Sequence, residues 1–148
     1  MRDGIVEWWG HRDDMPEVLQ AATVFVLPTW YREGLPKVLL EAAASGRAIV
    51  ATDMPGCREI VRPGVNGILV SPKDGAAVAR AIQTLLGSPE LRQRFGRAGR
   101  RIAVSEFSEE MVVEHTLEVY RAVLGERWSR SAVNGRNGNA PSGRDALR

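Results

Sequence analysis

Short apolar runs alternate along this chain with longer stretches in which apolar residues return every three or four positions. Thr23 to Leu27 (TVFVL) is rich in β-branched residues, apolar nearly throughout and too short for a helix, which predicts a strand buried on both faces. Ala48 to Ala51 (AIVA) predicts a second such strand, and Ile68 to Val70, after an Asn66-Gly67 turn, a third. Ile5 to Trp9 is a further short run of β type. The intervening segments read as helices. MPEVLQAA has Asp13 or Asp14 to cap it and Pro16 in its first turn; Pro36 to Ser45 is ended by Gly46; GCREIVRPG is a turn or two closed by Pro63-Gly64. Farther on, Asp74 can cap a helix that carries Val78, Ile82 and Leu85 or Leu86 on one side. Another follows Pro89 through Leu91, Phe95 and Ile102, and a last one, capped at Ser108, presents Met111, Val112, Leu117, Tyr120 and Leu124.

Strands apolar on both faces must be covered on both faces, and helices that alternate with them supply the cover. The expected fold class is therefore α/β: a Rossmann-like open parallel sheet flanked by helices, small because it holds about four strands. No internal repeat interrupts the pattern.

Composition narrows the picture. With 148 residues, 44% of them apolar, one compact domain is expected. No run approaches the roughly 18 apolar residues of a membrane span, and MRDGIVEWWGHRDD lacks a signal-peptide core, so a cytoplasmic protein is expected. The single cysteine, Cys57, excludes an intrachain disulfide framework and has little claim as a nucleophile. The net charge of +2 and a pI near 9.1 raise the question of nucleic acid. After Gly125, however, Arg127, Arg130, Arg136, Arg144 and Arg148 face only Glu126 and Asp145, a local balance of +3, so the remaining body is close to −1. Residues 126–148 are read as a disordered tail on a domain spanning 1–125, and no nucleic-acid partner is expected.

The stretch REGLPKVLLEAAASG, Arg32 to Gly46, holds the candidate chemistry. Glu41 sits in an otherwise apolar helix, where burial without a partner would cost several kcal/mol, so it needs either a compensating partner or an opening onto solvent. The helix follows a buried parallel strand through Pro28-Thr29 and TWYREGLP, which places its start at the carboxyl end of the sheet, where ligands bind in such folds. Gly34 is expected to let the backbone approach a ligand and to take a conformation closed to other residues. The amides of Leu35, Lys37 and Val38 and the helix dipole attract an anion. Glu41 lies roughly 8 Å along the axis from Pro36, with Glu33 beyond the tip, too far apart to share a proton or a metal. Two carboxylates so placed suit hydroxyls at opposite ends of a diphosphate, the shape of a nucleotide sugar.

EGLPKVLLE, preceded by FVLPTWYR and followed by AAASGRAIVATDMPGCREIVRPGVNGILV, closely resembles the retaining glycosyltransferases of family 4, in particular those that assemble bacterial exopolysaccharide and lipid-linked oligosaccharide. The resemblance runs from about Val6 to Leu124. It implies the C-terminal, donor-binding domain of the two-domain GT-B fold. By it, Glu33 would contact the donor sugar, Gly34 and Leu35 the diphosphate and Glu41 the ribose; Gly10, His11, Arg12 and Thr29 would lie near the base or form the site wall. It also implies a nucleotide-sugar donor, UDP-linked, with no cofactor and no metal. Thr29 stands where the family usually has serine, which keeps the hydroxyl.

Family members begin this domain with a further strand and helix that carry diphosphate-clamping Arg and Lys, preceded by an acceptor-binding domain. The sequence shows neither, so no complete catalytic set is expected and the isolated chain is expected to be inactive. Arg32 and Lys37 are either substitute cations or ordinary surface charges. The chain is then a fragment of a glycosyltransferase, with membrane association only through the parent enzyme or its acceptor; the alternatives are a donor-binding subunit completed by a separate acceptor-domain chain, and a non-catalytic remnant. Trp8, Trp9 and Trp30 are expected in the core or in the wall of the cleft.

Overall fold

The computed structural model describes residues 4–32 and 34–125. They form two compact units, one closing at Ser108 and one beginning at Glu109. The first runs α1 (Met15–Ala21), β1 (Val24–Leu27), α2 (Lys37–Ala44), β2 (Ala48–Thr52), α3 (Pro55–Ile60), β3 (Gly67–Val70), α4 (Gly75–Gly87) and α5 (Pro89–Glu106). The second holds α6 (Glu109–Leu124), none of whose residues is buried. The proposed tail lies outside the described residues.

The sheet is parallel, in the order β1-β2-β3. Its register pairs Leu27 with Ala51 and Thr52 with Val70, so the strands finish together at one end. All five residues of β2 are buried because it is central and covered on both faces. Side chains alternate across it. Ile49 and Ala51 join a core with Leu19, Leu39, Ala42, Ala43, Cys57 and Ile60, to which Phe25, Leu27 and Leu69 add from the neighbouring strands. Ala48 and Val50 join the other core, with Ala81, Leu85, Phe95 and Val70, bordered by Val24, Val26 and Ile68. Thus α1, α2 and α3 cover one face, and α4 with the start of α5 covers the other. Truncating Leu39 or Leu85, both fully buried, would cost roughly 2–5 kcal/mol.

α5 contributes Phe95 to one core and Ala103 to the other. It can do so because its inner side is small. Gly96 touches the Gly46 turn and Gly99 lies over Ala43 of α2, so the helix backbone comes close where larger side chains would hold it off. The turn itself needs Gly46, whose φ of +68° is the left-handed conformation that ends α2.

The expected cap at Asp74 forms, its carboxylate accepting from the Ala77 amide (2.8 Å), and α5 is capped by Ser88, which accepts from the Leu91 amide (3.2 Å). The start of α1 differs from expectation. Asp14 occupies the N-cap without a side-chain cap bond, because Arg12 takes its carboxylate, with Nε donating to Oδ1 over 2.7 Å. The strand expected at Ile5 to Trp9 does not form, and the described sheet has three strands rather than four. That segment pairs with no strand, and Ile5 and Trp8 remain 84% and 83% exposed. Trp9 and Trp30 are exposed as well, so of the two places expected for the tryptophans, core or cleft wall, the core is ruled out. A β-prone run becomes a strand only where a sheet edge is offered to it. No helix among the described residues is long and apolar enough to cross a membrane.

Candidate functional site

The shared strand end at Leu27, Thr52 and Val70 opens into three loops: Pro28 to Pro36, Asp53-Met54, and Ser71 to Asp74. The first loop is tied down at its base. Thr52, buried at the end of β2, donates its hydroxyl to the Thr29 carbonyl (2.5 Å), and the Thr29 hydroxyl accepts from the Tyr31 amide (3.3 Å). Beyond it the Trp30 and Tyr31 rings stack at 5.3 Å, both largely exposed. The loop ends at Pro36, the buried N-cap of α2, which has no side-chain cap bond. By helix geometry the Lys37 and Val38 amides therefore have no intrahelical acceptor.

Glu33 falls outside the described residues. Gly34 and Leu35 are exposed at the helix tip, Leu35 by 43%. Gly34 corrects one expectation: its φ is not positive, and an added Cβ would meet no protein atom within 4 Å. The fold itself does not require glycine there; only an approach from outside the chain would.

Glu41 satisfies both conditions set for it. Its side chain keeps 36% exposure, and Lys37, one helical turn earlier, places Nζ 3.5 Å from Oε1. The carboxylate stands between two shallow clefts. One, of about 210 Å³, is formed with Met15, Pro16 and Leu19 of α1; the other, of about 330 Å³, with Leu40, Ala103 and Phe107. Neither cleft includes Thr29, Gly34 or Leu35.

Gly10, with φ of +67°, His11 and Arg12 form the exposed segment leading into α1, the helix beside Glu41. Their own partners are local. His11 Nε2 meets Asp13 Oδ1 at 3.0 Å, and Arg12 pairs with Asp14 and lies over the Trp9 ring at 5.8 Å. The hydrogen bond from Arg12 holds the Asp14 carboxyl below the usual carboxylate range and raises the guanidinium. No group of three His, Cys, Asp or Glu among the described residues is placed to hold a metal ion. Cys57 is buried in the core, 1% exposed.

Three features of this end of the sheet escape a reading by motif. Thr52 looks like one more strand residue, yet it anchors the loop. Asp53, whose amide donates to Val70 (2.7 Å), takes a 2.5 Å hydrogen bond from Arg58 Nε, which lowers its carboxyl below the ordinary value. Lys73 adopts φ of +64° in the third loop. The spacing of Asp53 and Arg58 around a short helix was the available signal; nothing in the sequence marks Lys73.

A parallel, doubly covered sheet with loops gathered at its carboxyl end defines a Rossmann-like α/β domain. The sequence profile of the family described as "Glycosyl transferases group 1" matches residues 1–88. The chain belongs to the group 1 glycosyltransferases. It is 40% identical over 117 residues to the putative glycosyltransferase EpsD of Bacillus subtilis, a match covering 79% of this chain and 30% of that protein. Among solved structures it is similar to HepE of Anabaena in complex with UDP (25% identity, TM-score 0.76, 79% of this chain and 32% of that one). It is also similar to the C-terminal domain of the group 1 glycosyl transferase LpcC of Francisella tularensis (25% identity, TM-score 0.62, 70% and 53%). The fold is that of part of the C-terminal domain of GT-B glycosyltransferases. The chain thus spans less than a third of EpsD.

Proposed function

We propose that this chain is the donor-binding part of a retaining glycosyltransferase that transfers a sugar from a nucleotide, UDP in the first instance, to a glycan or lipid-linked acceptor in polysaccharide assembly. The observation that carries the reading is Glu41: a part-exposed carboxylate with one exposed lysine as its ion-pair partner, a turn and a half behind an uncapped helix tip at the carboxyl end of the sheet. In this reading Glu41 accepts hydrogen bonds from the ribose hydroxyls. The Gly34 and Leu35 backbone faces the diphosphate, and Glu33 contacts the sugar. Thr29 and the Gly10 to Arg12 segment wall the base. The HepE complex with UDP is a similar fold that holds such a ligand. In this reading no metal takes part, and the free amides of the helix tip oppose the phosphate charge. We place the work in the cytoplasm, with any membrane contact made by the acceptor or by residues outside this chain.

Acceptor binding is assigned to a separate acceptor domain and the principal diphosphate cations to a further strand and helix of the donor domain, both supplied by other residues, so this chain alone transfers no sugar. Calorimetry with UDP tests the reading. Saturable binding is expected, unchanged by a chelator, and weakened roughly tenfold in Glu41→Ala, the loss expected for hydrogen bonds to a charged group. Absence of binding at millimolar UDP, or equal binding by the variant, would refute it. Turnover of a UDP-sugar by the isolated chain would refute the division of labour.

A further inference from the structure

The opposite end of the sheet carries a polar cavity of about 400 Å³, where β1 and β2 begin and α5 starts. Gln20, Thr23, Arg47, Pro89, Arg92 and Gln93 are among its lining residues, and no carboxylate is. It lies a strand's length, roughly 13–17 Å, from the loops described above.

Both arginines are held from behind by backbone. Arg47 donates Nε to the Ser45 carbonyl (3.1 Å) and Nη1 to the carbonyls of Ala22 (3.0 Å) and Gln20 (3.3 Å). Arg92 donates Nη1 to the carbonyls of Leu85 (2.6 Å) and Leu86 (2.8 Å). These bonds fix two part-buried guanidiniums while leaving Nη2 of each without an acceptor among the described residues. Neither arginine joins any ion pair found there. Glu90, the acid nearest in sequence, is outside the lining and takes the Ser88 hydroxyl. The positive end of α5, an 18-residue helix, adds its dipole, while the carbonyls held by the two arginines are the ends of α1, α2 and α4, whose dipoles the guanidiniums offset. Two fixed guanidiniums without a carboxylate partner and a helix N-terminus around one polar cavity favour a compact anion with several acceptor oxygens.

We infer that this cavity binds a phosphate group between Arg47 and Arg92, at a site separate from the one around Glu41. Free phosphate and a phosphate monoester share the chemistry, and the experiment separates them. Amide resonances of the full chain are followed during titration with sodium phosphate, with glycerol 3-phosphate, and with sodium chloride at matched ionic strength. Saturable shifts confined to Thr23, Gly46 and Gln93 are expected with phosphate and absent with chloride. If only the monoester produces them, the natural ligand is an ester; if both do, the phosphate group suffices.

Two variants guard against a folding artefact. Arg92→Gln removes one donor set. Gln93→Glu disturbs no backbone contact and places a like charge at the rim. Each should weaken binding by roughly tenfold or more. Chloride shifting the same amides equally, or Gln93→Glu and a folded Arg92→Gln both binding phosphate as the wild type does, overturns the inference.

Discussion

Gly96 of α5 rests directly on the backbone of Gly46: a Cβ built on Gly96 would stand 2.1 Å from the Gly46 carbonyl oxygen. Backbone cannot yield as a flexible side chain can. Gly96→Ala should therefore cost about 3 kcal/mol, the upper end of overpacking losses, measured by urea denaturation. Gly87→Ala is the control. An added Cβ there meets nothing within 4 Å at the end of α4, and stability should hold or rise by a few tenths of a kcal/mol.

Asn66 ties α3 to the turn before β3. Fully buried, its amide donates to the Ile60 carbonyl (2.8 Å), and its oxygen accepts from the Arg62 amide (2.7 Å). Asn66→Ala leaves both backbone groups without these partners and should cost roughly 2–4 kcal/mol. Asn66→Asp should be worse at neutral pH, where a buried carboxylate opposes the Ile60 carbonyl. Burial raises that carboxyl's folded pKa, so stability relative to wild type should recover as the pH falls and the acid can donate. Equal losses at pH 5 and pH 8 would contradict this.

Thr52→Val keeps the shape of a buried strand end while deleting the hydroxyl that holds the Thr29 carbonyl. The expected stability loss is about 1 kcal/mol. Faster hydrogen exchange at Tyr31, whose amide bonds the Thr29 hydroxyl, should accompany it. If Tyr31 exchanges as in wild type, Thr52 does not govern the loop.

Asp53 binds a proton less readily in the folded chain than in the unfolded one, because Arg58 donates to its carboxylate. The pair therefore stabilises above the unfolded carboxyl pKa, about 4, and that contribution disappears as the pH falls through the lower folded value. Carboxyl titration by NMR should show the Asp53 midpoint rising toward the ordinary range in Arg58→Gln. An unmoved midpoint would remove Arg58 as the cause.

Lys37 and the part-exposed Glu41 pair at i and i+4 with the lysine first, the weaker orientation on a helix, worth about 0.2–0.3 kcal/mol. Glu41→Gln should accordingly unfold at nearly the wild-type denaturant midpoint, so any loss of UDP binding in that variant reports on the site and not on the fold. A shift beyond about 1 kcal/mol would give Glu41 a structural role instead.

The sequence by itself determined the element types and their order from β1 to α6, because period-2 and period-3.6 burial leaves a direct record in the apolar pattern. TVFVL, AIVA and Ile68 to Val70 are legible as strands, Asp74 as a cap, and EGLPKVLLE as a helix tip carrying two acids. Which of Leu85 and Leu86 is buried, and whether Ile5 to Trp9 pairs, were decided by tertiary structure, since both depend on a neighbour distant in sequence. The same holds for Gly96 against Gly46, Thr52 under Thr29, and Arg47 beside Arg92. Each joins segments that periodicity treats separately and that become neighbours only when the parallel strands stack in register and helices close over both faces.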